Sequence, residues 1–493
     1  MSFNSIGFLI FLPVTVIVNY ILPHKARWVW LLAASYFFYM SWEPKMAALI
    51  FAVTLVAYLG GLAAGYFRDK KGSPKGAGAS AAIACVLCLA ALIFFKYFGF
   101  LMENVNRLIA LGGGEALSIP DILLPVGISF FTFQAIGYVI DVARGKIAAE
   151  KHFGYFTLFV SFFPQLVAGP IERADALLPQ LKTEHKLKKE NIYNGLGLII
   201  VGFFKKIAVA DMLAGPVNAI FDDPEKAGSG LAALGAAMFA VQIFCDFSGY
   251  TDIAKGSAEL LGIRLSKNFD KPYAAVSIND FWRRWHISLS GWFREYIYFP
   301  LGGSRRGEFR TCINLMVVFL VSGLWHGAAW HFVAWGVLHG LFCVIDRLTL
   351  KPRNRFWEKL KVKPDGAAIL TVRRILTFLV VCFLWIFFRA SNIAEAWNVI
   401  KVIFSFKAGS AEGIFTSVAA AVVAAASTAV LLLIDSGRVE LSLPMSESAL
   451  KNNKGVRKLI SPAAIVIMTW TVIWAWLFLS STSAGSAFIY FQF

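Results

Sequence analysis

An all-α, polytopic integral membrane protein is the fold class this sequence predicts, on three observations. Its 493 residues are 58% hydrophobic, with a mean hydropathy of +0.65, well above the apolar share of a soluble domain. Apolar runs of about 18 or more residues recur along the chain, each able to cross a bilayer as a helix. The charge, a net +17, gathers between those runs.

In order, the runs 6–22, 28–42, 46–67, 79–98, 120–142, 195–213, 229–247, 312–326, 330–349, 369–388, 415–434 and 461–480 read as spans. Two of them, 28–42 and 312–326, are short, and 153–169 reads as a re-entrant or extra helix. Together they predict one membrane domain over 1–493 with about 11–12 transmembrane helices. The first run is not a cleavable signal, because no charged segment precedes it and no small-residue cleavage pattern follows. All six cysteines lie in apolar runs. Cys85-x-x-Cys88 has metal-like spacing, but no second pair or histidine cluster accompanies it, so these are read as membrane-helix thiols and no metal is expected.

Basic residues cluster at Lys25/Arg27, Arg68–Lys75, Lys182–Lys189, Arg264–Arg310, Lys351–Lys363 and Lys451–Lys458. The alternating loops, such as 215–228 with Asp222, Asp223 and Glu225, are neutral or acidic. By the positive-inside rule the basic set faces the cytoplasm. An even number of spans then places both termini outside. Topology and contact with anionic lipid account for such charge, so nucleic acid is not needed as a partner. No internal repeat is apparent, which argues against the inverted-repeat transporter folds.

The segment 248–311 is of mixed character and reads as cytoplasmic or interfacial. Trp282, Trp285, Trp292, Tyr296 and Tyr298 alternate there with Arg283, Arg284, Arg294, Arg305 and Arg306. Asn279 or Asp280 predicts a helix N-cap, and 280–299 a helix at the membrane interface. His286 sits in it among Trp285, Ile287 and Leu289. A second histidine, His326, closes the apolar run 312–325, and His331 and His339 follow in the next. A titratable ring in hydrocarbon costs several kcal/mol unless it is paired or faces water, so it marks a functional site. Imidazole is also the side chain best matched to proton transfer near neutral pH.

Several runs carry a resemblance. They are Phe162-Phe163-Pro164-Gln165-Leu166-Val167-Ala168-Gly169-Pro170-Ile171, Asp246-Phe247-Ser248-Gly249-Tyr250-Thr251-Asp252 and Asn268-Phe269-Asp270-Lys271-Pro272-Tyr273. Phe281-Trp282-Arg283-Arg284-Trp285-His286-Ile287-Ser288-Leu289-Ser290, Pro300-Leu301-Gly302-Gly303 and Gly323-Leu324-Trp325-His326-Gly327-Ala328-Ala329-Trp330 complete the set. In this order they resemble the membrane-bound O-acyltransferase (MBOAT) family, in its bacterial branch of alginate O-acetylation proteins. The resemblance implies an MBOAT fold in the bacterial inner membrane, a ring of tilted helices around a thin centre pierced by a tunnel. A cytoplasmic acyl donor would enter from one side and an acceptor from the other. His326 matches the catalytic histidine at the waist. His286 matches one near the donor mouth, either catalytic or donor-positioning. His331 and His339 rank lower, His339 as structural.

Acyl transfer from a thioester to a hydroxyl needs a base for the hydroxyl proton and donors for the developing oxyanion. Neutral His326 supplies the first; Trp325 or the backbone at Gly323 and Gly327 are candidates for the second. The resemblance implies acetyl-CoA as donor substrate, with an acyl-carrier thioester fitting equally well and no tightly bound cofactor. Arg283, Arg284, Arg305 and Arg306 are candidates to hold its phosphates, since arginine makes bidentate phosphate contacts. No Gly-rich phosphate loop occurs, and Pro300–Ser304 is a turn signal only.

The tail 480–493 ends Ala487-Phe488-Ile489-Tyr490-Phe491-Gln492-Phe493, and exposed to water it would form a costly aromatic patch. It resembles the C-terminal signature of the small membrane peptide of teichoic-acid D-alanylation. By that analogy Tyr490 enters the tunnel from outside, takes the acyl group with His326 as base, and passes it to a partner of the SGNH-hydrolase-like type that acetylates a polysaccharide. The alternatives are an interfacial anchor for the tail, D-alanyl transfer to teichoic acid, and, from another class, a proton-coupled transporter or export channel with His326 as relay.

Overall fold

A computed structural model describes residues 1, 3–359, 363, 366–414, 425, 468–477 and 489. Among these every regular element is helical. The helices are α1 (Ile6–Ile21), α2 (His24–Met40), α3 (Met46–Asp69), α4 (Pro74–Leu92), α5 (Phe98–Leu111), α6 (Ile128–Ala143), α7 (Phe153–Ser161), α8 (Phe163–Leu166) and α9 (Ala174–Lys182). They continue with α10 (Lys189–Phe203), α11 (Met212–Asp222), α12 (Pro224–Leu260), α13 (Ile278–Arg284), α14 (Ile287–Phe293), α15 (Glu308–His326), α16 (Trp330–Lys359), α17 (Ala367–Arg389), α18 (Ile393–Ile403) and α19 (Met468–Leu477). Among the described residues, six stretches are long and apolar enough to cross a membrane: α3, the 74–111 stretch, α12, α15, α16 up to Phe356, and α17.

The chain divides into two compact units, 1–199 with 253–266, and 200–252 with 267–493. In the first, α3 packs against α4 and α6. The turn between α3 and α4 is built from Gly72, at φ +58°, and Ser73, whose hydroxyl caps α4 by accepting the Gly76 N–H ahead of Pro74. Small residues let these helices approach closely: a Cβ on Gly61 would lie 2.5 Å from the Tyr138 ring, and one on Gly60 2.3 Å from Ala84 Cβ. The expected re-entrant segment at 153–169 is two short helices, α7 and α8, broken at Phe162. Cys88 is buried on α4, its thiol reaching the Val53 carbonyl at 3.9 Å, and all six cysteines are free thiols.

In the second unit α15 and α16 form a tight hairpin, with α17 against α16. A Cβ on Gly323 would stand 2.4 Å from the Phe332 carbonyl oxygen, and one on Gly336 2.3 Å from that of Phe319. Helix α18 is capped reciprocally: Asn392 accepts the Glu395 N–H, and Glu395 accepts the Ser391 N–H. The turn at 300–304 is present, with Gly302 and Gly303 at φ +105° and +56°. It is tied to α15 by Asn314, which donates to the Gly303 carbonyl at 2.9 Å.

Three expectations are corrected. The run 120–142 is helical only from Ile128, because Gly127 at φ +75° opens α6 behind Pro125. The 280–299 stretch is not one helix. It breaks at Trp285-His286, where His286 takes φ +44° and the Ile287 N–H goes to the Asn268 carbonyl at 2.9 Å. The cap of the first piece is Ser277, which accepts the Asp280 N–H, whereas Asn279 and Asp280 lie within the helix. Of the last two expected spans, 415–434 and 461–480, only residues 425 and 468–477 are described, the latter as α19.

Candidate active site

His326 is the last residue of α15, with Gly327 as the extended C-cap. Three aromatic rings enclose it, from three places in the chain. The Trp325 centroid is 4.9 Å away, that of Trp335 on α16 is 4.9 Å away, and that of Phe388 on α17 is 5.4 Å away, all close to perpendicular. The imidazole is 4% exposed. A helix C-terminus is the negative end of the backbone dipole, which stabilises the cation an imidazole becomes when it takes a proton.

His286 is fully buried, between the Phe247 ring at 4.7 Å and Trp325 at 5.8 Å. One indole therefore separates the two imidazoles, and Trp325 touches both. Nδ1 of His286 lies 3.2 Å from Asn268 Oδ1. That oxygen also accepts from the Ser288 hydroxyl at 2.8 Å and N–H at 3.3 Å, which fixes it as the amide's acceptor end. His286 is therefore the donor, protonated at Nδ1, with the lone pair on Nε2. Burial pushes its pKa down to about 3, so the ring is neutral near physiological pH. The left-handed backbone at His286 is the kind of strain that persists where surrounding contacts dictate it.

A cavity of about 550 Å³ begins at Gly327 and Ala328, directly after His326. His331, Arg389, Gln242 and Ile489 also line it. His331 is anchored through Nδ1 to the Phe387 carbonyl at 3.0 Å, and Arg389 donates to Asn218 Oδ1 at 2.6 Å. The cavity-lining Ile489 leads to a buried charged cluster that the sequence reading passed over. Lys206 Nζ donates to Asp211 at 2.8 Å and to Asp246 Oδ1 at 2.7 Å, while Asp246 Oδ2 accepts the Ile489 N–H at 2.8 Å.

A family model for membrane-bound O-acyltransferases matches residues 148–360, which carry both histidines and the charged cluster. A probable alginate O-acetylase of Azotobacter vinelandii is 38% identical over 410 residues, covering 82% of this chain and 78% of that one. This chain belongs to the membrane-bound O-acyltransferase family. It is a multi-pass membrane O-acyltransferase of the branch that holds the alginate O-acetylation proteins. A peptidoglycan O-acetyltransferase of Helicobacter pylori is 35% identical over 426 residues, covering 79% of this chain and 77% of that one. A teichoic acid D-alanyltransferase of Streptococcus thermophilus is 30% identical over 269 residues, covering 48% of this chain and 61% of that one.

In this O-acyltransferase the expected site residues fall into three groups. His326, Trp325 and His286 come together as one aromatic file. His339 is buried against the Trp335 ring, 4.8 Å between centroids, and accepts the Trp282 indole N–H at 3.1 Å. Among the four arginines, Arg284 is held by Asp280 at 3.0 Å, whereas Arg283, Arg305 and Arg306 are exposed. Gly327 N–H, a suggested oxyanion donor, is engaged weakly with the Gly323 carbonyl at 3.4 Å. Tyr490 lies outside the described residues. The sequence reading also missed Trp335, whose indole N–H is buried without an acceptor among the described residues and whose ring lies against His326. Its spacing of four from His339 on α16 was the available signal. Among the described residues no cluster of histidine, cysteine and carboxylate side chains is arranged to hold a metal.

Proposed function

We propose that this O-acyltransferase moves an acetyl group from a cytoplasmic thioester, acetyl-CoA, across the bacterial inner membrane for O-acetylation of an extracytoplasmic polysaccharide. The observation that carries the reading is the placement of His326: it ends a membrane helix, is enclosed by rings, and stands one residue from the cavity. The names of the relatives, alginate O-acetylase and peptidoglycan O-acetyltransferase, favour acetyl and a glycan acceptor. Arg283, Arg305 and Arg306 on the basic side hold the donor's phosphates.

The first acceptor in this reading is the Tyr490 phenol. Its oxygen attacks the thioester carbonyl carbon while His326 takes the phenolic proton. The C–S bond breaks, and the thiolate leaves with the proton from the imidazolium. Trp325 and Trp335 N–H groups are the candidates for the oxyanion. The tyrosyl ester then passes its acetyl group, on the outer face, to an SGNH-hydrolase-like partner and on to the polymer. Support for the tail's part comes from Ile489, adjacent in sequence, which lines the cavity beside Gly327. His286, neutral and fixed by Asn268, positions the donor side.

Incubation of the purified protein with radiolabelled acetyl-CoA tests this. Label on the C-terminal peptide that disappears in both His326→Ala and Tyr490→Phe supports donor, base and relay together. Thiol release that depends on His326 without tail label removes the relay. Full activity in an intact His326→Ala protein refutes the mechanism. D-alanyl transfer is distinguished by offering a D-alanyl carrier protein in place of acetyl-CoA.

A further inference from the structure

The charged cluster that meets the cavity-lining Ile489 joins two carboxylates to one ammonium. Lys206 is 6% exposed and already has Asp211 as a partner at 2.8 Å. A second carboxylate, Asp246, 1% exposed and on a membrane helix, pairs with the same ammonium. An intramembrane carboxylate by default marks a function. Its two oxygens do different things. Oδ1 faces Lys206, and Oδ2 receives the backbone N–H of Ile489, a residue 243 positions away.

We propose that Asp246 is the receptor for the C-terminal segment and sets its register by gripping the chain at the Ile489 amide. This deepens the relay reading and rests on it for the purpose of the grip: the segment so held carries Tyr490. Recognition through the backbone is indifferent to the side chain at 489. It depends on a charged acceptor, since a charge-assisted hydrogen bond is roughly twice as strong as a neutral one. Lys206 orients that acceptor, and Asp211 holds Lys206. Asp246 is thus a positioning residue.

Asp246→Asn is the diagnostic change. An asparagine must turn its oxygen to the Lys206 ammonium, which presents its NH2 to the Ile489 N–H, donor against donor. Asp211→Asn removes the same charge from the same cluster and leaves in place the Asp246 carboxylate that accepts the Ile489 N–H. The full-length protein carrying Ile489→Cys, which keeps the N–H, is treated with a membrane-impermeant maleimide. The parent chain with its native cysteines provides the background. The buried position labels slowly. Adding Asp246→Asn accelerates labelling tenfold or more, whereas adding Asp211→Asn leaves it at the slow rate. In parallel, Ile489→Pro, which deletes the N–H and leaves the buried cluster intact, lowers acetyl label on Tyr490 at least tenfold below the level in Ile489→Ala, which keeps the N–H.

Equal labelling with and without Asp246→Asn overturns the proposal. So does acceleration by Asp211→Asn to the same extent, which would be a general effect of charge removal. So does wild-type label on Tyr490 in Ile489→Pro. If Asp246→Asn alone frees position 489 while Tyr490 takes no label in any protein, the grip stands and the relay falls.

Discussion

Gly323→Ala tests whether the α15–α16 crossing sets the chemistry. The added methyl would stand 2.4 Å from the Phe332 carbonyl oxygen and 3.2 Å from Gly336 Cα, where ordinary contact begins at 3.4 Å. Both obstacles are backbone, so no side chain can swing aside, and the helices must part by about 1 Å. Overpacking of this kind costs about 1–3 kcal/mol. The effect on rate is larger than that figure suggests. His326 lies less than one turn past Gly323 on α15, and Trp335 directly precedes Gly336 on α16, so separation changes the very contact, 4.9 Å between centroids, that seats the imidazole. A misplacement of about 1 Å costs roughly 10²-fold in rate. The assay is thiol release from acetyl-CoA by purified protein, read beside thermal unfolding in detergent. Gly230→Ala, with nothing within 4 Å of the new methyl, is the control and leaves both unchanged or slightly raises stability. A Gly323→Ala protein with parental turnover and stability refutes the argument.

His326→Ala lowers acetyl transfer by about 10²–10⁴-fold while circular dichroism keeps the parental helix content, as expected for loss of a general base. Arg305→Ala with Arg306→Ala raises KM for acetyl-CoA and leaves kcat within about twofold, the pattern of lost ground-state binding; a fall in kcat with unchanged KM contradicts the assignment. Stability is lost on acidification through His286. Its folded pKa, about 3, lies below the ordinary 6.5, so below that ordinary value the unfolded chain takes up a proton that the folded chain refuses. Stability from this group is complete above about pH 6.5 and declines by about 1.4 kcal/mol per pH unit on the way down. His286→Gln flattens that slope of melting temperature against pH, whatever its absolute stability. An unchanged slope shows that other groups set it.

Much of this was legible from apolar run length alone. Every described span expected from sequence overlaps a helix, because about 20 apolar residues admit few other structures in lipid. The misreadings have local causes. At Trp285-His286 no glycine or proline announces a break. The chain turns there because the Asn268 backbone and side chain take the Ile287 N–H and the imidazole, contacts 18 and 19 positions away in sequence that no local pattern encodes. Lys206, Asp211 and Asp246 were visible as charges inside or beside apolar runs, the very signal that singled out His326. They were absorbed into the count of spans because ion pairing among them is a tertiary fact. Arg284 reads like its neighbours until Asp280, four residues back, is seen to hold it.

The chemistry of the site also bears on why a tyrosine is a suitable first acceptor. His286 is backed by the Asn268 amide, and His326 is packed among rings. Between a free imidazole and a free phenol the proton transfer runs uphill by about 3.5 units, or about 5 kcal/mol. An aliphatic hydroxyl is a weaker acid than a phenol and makes the same transfer steeper. The acceptor's acidity therefore lowers the demand on the base. It follows that Tyr490→Ser, although it restores a hydroxyl, carries acetyl label much more slowly than the parent. Raising the pH toward 9 speeds the parent, by increasing the phenolate fraction, more than it speeds the serine variant. A serine variant labelled at the parental rate, with the same pH response, shows that acceptor acidity is not what the site relies on.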